Sequence, residues 1–254
     1  MKTIAGTSTL DSRIAQEADL AIDLGYAERR FAPGTSSYMA SLLLEYCIAL
    51  YLAEVGGRMT AAQVKAKLDE IAAEADGMQK TLDANRPLLE KLGEQAQLTD
   101  KLIFIGGGPN YGTAFFSMAK IFETARVHAA GQELEEWAHE QYFVTGPDTY
   151  TFVIAPPGAS IDRAREQLWA ANQMNSTSVA ICGADDAETA KLGKVAVRVY
   201  GGGDEALSPL SYCIPGELFA FYYAATKNLT MLGFDNPHIK AVNFQQIFNS
   251  QIVP

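Results

Sequence analysis

Two side chains between Ile103 and Phe143 have the type and spacing to move protons. Glu123 lies in FFSMAKIFETA, with Phe122 beside it and apolar residues around it at helical spacing. A carboxylate in such a setting acts as a general base when partial desolvation raises its pKa toward neutrality. Sixteen residues later, in LEEWAHEQYF, stands His139, and a histidine can accept and return a proton near neutral pH. Lys120 precedes Glu123 by three residues. That spacing allows a cation beside developing negative charge, or simply an i, i+3 ion pair on a solvated helix face. The plain alternative for His139 is a surface histidine among Glu135, Glu136 and Glu140. His128 reads as structural, and His238 has no assigned role.

The elements that must position these residues follow from pattern. An apolar, β-branched strand at Leu102–Ile105 breaks at Gly106-Gly107-Gly108 and continues as a helix over about Tyr111–Ala129. The turn Gly106-Gly107-Gly108-Pro109-Asn110-Tyr111-Gly112 fails the G-x-G-x-x-G dinucleotide template, because Tyr111 occupies the third glycine position. Its glycines read as close packing of a helix start against a strand, and no cofactor is expected. Neither H-x-x-E-H nor H-E-x-x-H occurs, so no catalytic metal is expected. Downstream, strands at Tyr150–Ala155, Ser178–Cys182 and Val195–Tyr200 alternate with helices at Ile161–Asn172 and Ala187–Leu192. This alternation predicts an α/β domain with a parallel sheet and flanking helices. Gly201-Gly202-Gly203 is a flexible loop, and Pro209–Met231 a long apolar helix.

Upstream, short strands at Lys2–Thr7 and Leu20–Leu24 flank a helical turn capped by Asp11 or Ser12. The break Ala32-Pro33-Gly34-Thr35-Ser36-Ser37 leads into a helix over Tyr38–Val55. That helix is apolar nearly all round and is expected to be buried. Gly56-Gly57 ends it. Thr60–Gln97 is polar and amphipathic, opens with a capping box at Thr60 and Gln63, and is expected to form two helices divided at Pro87. It reads as a connector. The apolar helices at Tyr38–Val55 and Pro209–Met231 each close an α/β unit, a weak and incomplete internal repeat in which the chain is expected to begin partway through the first unit. The predicted division is 1–58, an incomplete first domain; 59–98, the connector; and 99–254, a second domain with a tail.

Composition sets outer limits. Hydrophobic residues at 48% and charged residues at 20% are the balance of a folded protein, against disorder. A net charge of -10 and a pI near 4.8 argue against a nucleic-acid partner. An anionic ligand would be held by backbone N–H groups and hydroxyls rather than a basic cluster. Cys47, Cys182 and Cys213 are odd in number, far apart and without C-x-x-C spacing, which predicts buried free thiols in a reducing cytosol. Glu45 interrupts the apolar run Leu42–Leu52, so no run of transmembrane length is expected, and the N-terminus has no signal-peptide core. A soluble, cytoplasmic protein with no membrane partner is predicted.

IGGGPNYGTAFFSMAKIFETARVHA, LEEWAH and DNPHIKAVN resemble the strand, Gly-rich turn, A-x-K-x-x-E helix, E-x-x-H segment and closing tail of the sugar isomerase (SIS) domain family. TSTLDSRIAQEADLAIDLG and GTSSYMASLLL resemble late strands and a helix start of a first such domain. The arrangement is similar to the double-domain isomerase part of glucosamine-6-phosphate synthase and to fructosamine-phosphate deglycases. The resemblance implies a three-layer α/β/α parallel-sheet fold of the flavodoxin-like kind, preceded by an incomplete SIS domain and a helical connector. Departures are Glu140-Gln141 where the family usually has Gly-Pro, and a tail about two residues shorter before Lys240.

By that resemblance the substrate is a phosphorylated sugar or amino sugar. Glu123 carries a proton between C1 and C2 through an enediol or enolamine, and His139 opens the sugar ring from across a homodimer interface. Lys120 and Lys240 neutralise intermediate charge. Gly34, Thr35, Ser36, Gly108 and Asn110 line the substrate. The implied activity is aldose–ketose isomerisation or amino-sugar/fructosamine-phosphate deamination or deglycation. A non-catalytic carbohydrate-binding or regulatory module, and a fragment of such an enzyme without its first-domain phosphate loops, stay open beside it.

Overall fold

A computed structural model describes residues 2–26 and 33–248, which divide into two compact units, 1–73 and 74–254. In the first, β1 (Ile4–Thr7) and β2 (Leu20–Asp23) pair in parallel around the short helix α1 (Arg13–Glu17), with Ile4 opposite Leu20. Asp19 fixes this crossover: its carboxylate accepts from the Thr3 amide at 2.8 Å and the Thr3 hydroxyl at 3.0 Å. Helix α2 (Thr35–Val55) follows, opening at Gly34; Ala32 of the predicted break lies outside the described residues.

Helix α2 departs from expectation. It is apolar all round, yet none of its residues is buried within the unit, and Tyr51, Leu52 and Val55 are largely exposed. Two four-residue strands and a five-residue helix offer too little surface to cover 21 residues on every side. Cys47 rides on it and is exposed as well, whereas Cys182 and Cys213 are buried free thiols. By length and composition α2 also suffices to cross a membrane, Glu45 notwithstanding, a test that the core helix of a soluble protein passes equally.

Helix α3 (Ala61–Ala96) opens on the predicted capping box, in which the Thr60 amide donates to Gln63 Oε1 at 2.8 Å and the Gln63 amide to Thr60 Oγ1 at 3.3 Å. It runs unbroken through Pro87, where two helices were expected. An interior proline costs roughly 3 kcal/mol, and tertiary packing offsets it here. Leu89, Leu92 and Ala96 are buried in the core of the second unit. Asn85 Nδ2 donates to the Arg198 carbonyl at 2.7 Å while its Oδ1 accepts from the Arg198 amide at 3.0 Å, so one side chain pairs an edge strand as a neighbouring strand would.

The second unit is a five-stranded parallel sheet. Its chain order is β3 (Lys101–Gly106), α4 (Asn110–Ala125), β4 (Ala129–Glu133), β5 (Thr149–Ala155), α5 (Ile161–Gln173), β6 (Thr177–Gly183), α6 (Ala187–Leu192) and β7 (Val195–Val199). The spatial order β4-β3-β5-β6-β7 is the flavodoxin-like order. Strict alternation sends Leu102, Phe104, Phe152, Ile154, Val179 and Ile181 to one face, under α3 and α4. Ile103, Ile105, Val153, Ala155 and Ala180 go to the other, under α5. The predicted three layers are present.

Strand β4 has no counterpart in the sequence reading, which ran the preceding helix to Ala129. The helix instead stops at Ala125, with Arg126 left-handed at φ 55°. AAGQE lacks β-branched residues, so propensity gives no sign of a strand. Gly131 is needed there, since a Cβ would sit 2.9 Å from the Ala114 carbonyl. The predicted helix Pro209–Met231 is likewise two helices, α7 (Pro209–Tyr212) and α8 (Ile214–Thr226), with Pro215 in the first turn of the second. Helix α9 (Pro237–Phe248) carries the tail.

Candidate functional site

Helix α4 buries Asn110, Thr113, Ala114, Ser117, Lys120 and Ile121, a stripe at i, i+3, i+4 spacing that places a lysine in the core. Lys120 is 3% exposed. Its ammonium donates to Glu123 Oε2 at 2.5 Å and lies 4.7 Å from the centroid of the Phe116 ring. A buried ammonium is costly unless paired, and this one is paired once by charge and once by a π face. The Glu123 side chain, 32% exposed, sits at the rim of the stripe. One carboxylate oxygen holds the lysine, and solvent reaches the group. The lysine has left water and its partner has not, unlike a surface pair in which both groups are solvated.

Helix α8 adds an acid that no sequence motif marks. Gly216 lies so close to Ser117 that a Cβ would overlap the serine hydroxyl, and Thr124 Oγ1 donates to the Ala220 carbonyl at 3.2 Å. Between these two fixed points Glu217 comes beside Lys120. Burial pushes the Glu217 carboxyl up to about 7, against the lowering effect of the Lys120 charge. The signal in the sequence is a single acid in an otherwise apolar helix, IPGELFAFYYAAT.

His139 ends a 3₁₀ turn, Glu136–His139, after β4. Trp137 and Leu134, both buried, anchor that turn in the core on the α5 face, opposite the face that α4 covers. The His139 imidazole is 68% exposed and its Nε2 lies 3.4 Å from Glu135, which Arg163 also holds at 2.5 Å. The chain therefore brings Lys120 and Glu123 together and places His139 on another layer.

Lys240 is on α9, its ammonium 5.8 Å and 5.9 Å from the ring centroids of Phe234 and Phe244. The segment leading to it is tied to the C-terminal end of α4 by Arg126 and Asp235, 3.2 Å apart. Gly108 forms the turn before α4 with φ 53°. Asn110 is fully buried and spends both ends inside the protein, donating to Ser208 Oγ at 2.6 Å and accepting from Thr113 Oγ1 at 3.1 Å. Gly34, Thr35 and Ser36 open α2 in the first unit. Among the described residues no group of three His, Cys, Asp or Glu side chains is placed to hold a metal.

No family model matches the chain. It is 27% identical over 241 residues to glutamine–fructose-6-phosphate aminotransferase (isomerizing) of Corynebacterium diphtheriae, covering 92% of this chain and 37% of that protein. This likeness supports the sugar isomerase (SIS) domain family. Its fold is shared with the C-terminal domain of glucosamine-fructose-6-phosphate aminotransferase from Francisella tularensis, at TM-score 0.81 and 16% identity over 90% of this chain and 64% of that one. Glucosamine-6-phosphate deaminase from Thermotoga maritima gives 0.67 and 18%, over 93% and 65%. The chain thus spans little more than a third of the aminotransferase and about two thirds of these structures. The strand–turn–helix that resembles the SIS motif is β3, the glycine turn and α4, with Lys120 and Glu123 on the last two turns of α4.

Proposed function

We propose that the chain is a SIS-type sugar-phosphate enzyme that moves a proton between C1 and C2 of a phosphorylated ketose or amino sugar. The observation that carries this reading is the Lys120–Glu123 pair, in which a core ammonium holds a rim carboxylate. Glu123 takes the proton next to the carbonyl and returns it to the neighbouring carbon, so an enediol or enolamine forms and collapses. The Lys120 charge orients the carboxylate and lies beside the negative charge that develops. Deamination or deglycation passes through the same enolamine: the proton returns to the neighbouring carbon to give an imine, which water hydrolyses to the carbonyl and the free amine. Lys240, on the tail tied to α4, would offset charge on the open-chain intermediate.

His139 would open the ring on a neighbouring copy of the chain in a homodimer. Its exposure, on a layer apart from Glu123, suits a residue that serves another subunit's site. The substrate class comes by likeness to the aminotransferase and deaminase named above. Turnover of fructose 6-phosphate, glucosamine 6-phosphate and a fructosamine 6-phosphate tests the reading, with Glu123→Gln as control. Activity in the chain that Glu123→Gln abolishes supports it; equal activity in both removes Glu123 from the mechanism.

The same exposure favours a second reading, a sugar-phosphate-binding module without turnover. Stabilisation by these sugar phosphates in thermal unfolding, with no conversion of any of them, would select it.

A further inference from the structure

The layer that covers the sheet on the α5 side changes along its width. Helix α5 lies over β5 and β6, whereas beside β4 the chain lays only the 3₁₀ turn that ends at His139 and a second such turn, Gln141–Val144. Two short turns fill a layer less completely than a helix does. Under the second of them, at the amino ends of β3, β4 and β5, a cavity of 210 Å³ remains. Ile103, Ala129, Ala130 and Val144 give it an apolar lining. His128, edge to face with Phe122 at 6.3 Å between ring centroids, adds an aromatic wall. The charges at its rim are already used: Lys101 lies 2.6 Å from Asp148, and Asp100 lies 3.1 Å from Lys227. Nothing here calls for an ionic ligand.

One polar atom does call for a partner. Gln141 lines the cavity, and its Nε2 donates at 3.0 Å to Glu140 Oε2, which also accepts from Gln132 Nε2 at 2.6 Å. A carboxylate only accepts, so the Gln141 amide is fixed with its nitrogen on Glu140 and its oxygen turned the other way. That oxygen, Oε1, is buried and has no hydrogen-bond partner among the described residues. Buried amide oxygens are ordinarily paired, so this one marks a place for a donor that the chain does not supply.

We infer that this cavity binds a small neutral aromatic molecule carrying one N–H or O–H, which donates to Gln141 Oε1. The size fits, since an apolar cavity of about 150 Å³ takes benzene and one of 210 Å³ has room for a ring system such as indole. The apolar lining and the His128 ring favour a flat aromatic ligand over a hydrated one. Open α/β sheets bind their ligands at the carboxyl ends of the strands, and this cavity is at the amino ends. It therefore does not overlap a site at that other end, and it stands independently of the proton-transfer reading.

Backbone amide NMR of the whole chain, titrated with indole and separately with benzothiophene, tests this. The two ligands share a shape, and only indole carries an N–H. Indole is expected to move the Ile103, Ala130 and Gln141 amides saturably and to bind about tenfold more tightly than benzothiophene, the worth of one hydrogen bond. Gln141→Met keeps the side-chain length and removes the oxygen, so it should abolish that preference and leave benzothiophene binding unchanged. The comparison of the two ligands in the unaltered chain stands whether or not Gln141→Met folds. Indole that binds no more tightly than benzothiophene overturns the proposal, as does the lack of saturable binding, or binding that leaves Ala130 and Gln141 unmoved. A tenfold preference that survives in folded Gln141→Met overturns the assignment of the donor to Gln141 Oε1. Shifts of the Ala130 and Val144 amides with chain concentration alone would place a second copy over the cavity and overturn the proposal too.

Discussion

Lys120 and Glu123 form an ion pair with unequal halves: the lysine side chain is 4% exposed and the glutamate side chain 32%. A surface i, i+3 pair of two solvated groups is worth a few tenths of a kcal/mol. Here the ammonium has left water and depends on the carboxylate, while the carboxylate still faces solvent and can reach a ligand. That asymmetry sets the pair apart from an ordinary helix pair.

A double-mutant cycle should register it. Lys120→Met keeps the stem volume and Glu123→Gln keeps the side-chain shape, so the cycle isolates the charge interaction. A coupling of about 1–3 kcal/mol in urea unfolding is expected. A value near zero would make the pair a solvated one.

Glu217 should make stability fall as pH rises. Its carboxyl, at about 7 in the fold against an ordinary 4.5, prefers the neutral form when buried. The contribution is complete below pH 4.5 and is lost as pH climbs through 7, by at most roughly 3 kcal/mol. Guanidinium unfolding between pH 4.5 and 8 should therefore show a slope in the unaltered chain that Glu217→Gln lacks. Parallel curves would mean that Lys120 already holds Glu217 ionised.

Asn110 distinguishes a structural from a binding role. Both of its polar ends are engaged, one with Ser208 and one with Thr113. Asn110→Ala should cost about 2 kcal/mol of stability, by leaving Ser208 and Thr113 short of a partner. Loss of sugar-phosphate affinity at unchanged stability would instead make it a ligand contact.

Asn85 should be as important to β7 as a neighbouring strand. Asn85→Ala removes two hydrogen bonds to Arg198 and is expected to cost about 2 kcal/mol. Hydrogen exchange at the Arg198 amide should accelerate more than at β5, in the middle of the sheet. Uniform acceleration would mean that α3 is held by Leu89 and Leu92 alone.

The parallel sheet was legible because β3, β5, β6 and β7 are apolar and β-branched and are separated by helices of the right period. Strand β4 was not, because AAGQE has no strand propensity and is held in place by pairing with β3 on one side and α4 above it. Pro87 misled for a related reason: the local rule is real, and the contacts of Asn85, Leu89 and Leu92 override it. Within the site, Lys120 and Glu123 could be found by spacing along one helix. Glu217 could not, since its relation to Lys120 exists only once Gly216 meets Ser117.

The central claim is that Glu123 moves a carbon-bound proton, and solvent isotope exchange tests it most directly. Fructose 6-phosphate incubated with the chain in D₂O should acquire deuterium at C1, followed by proton NMR. Glu123→Gln should slow that exchange by at least about 10²-fold, the usual contribution of a general base, with its circular dichroism unchanged. Exchange at the same rate in Glu123→Gln would contradict the account.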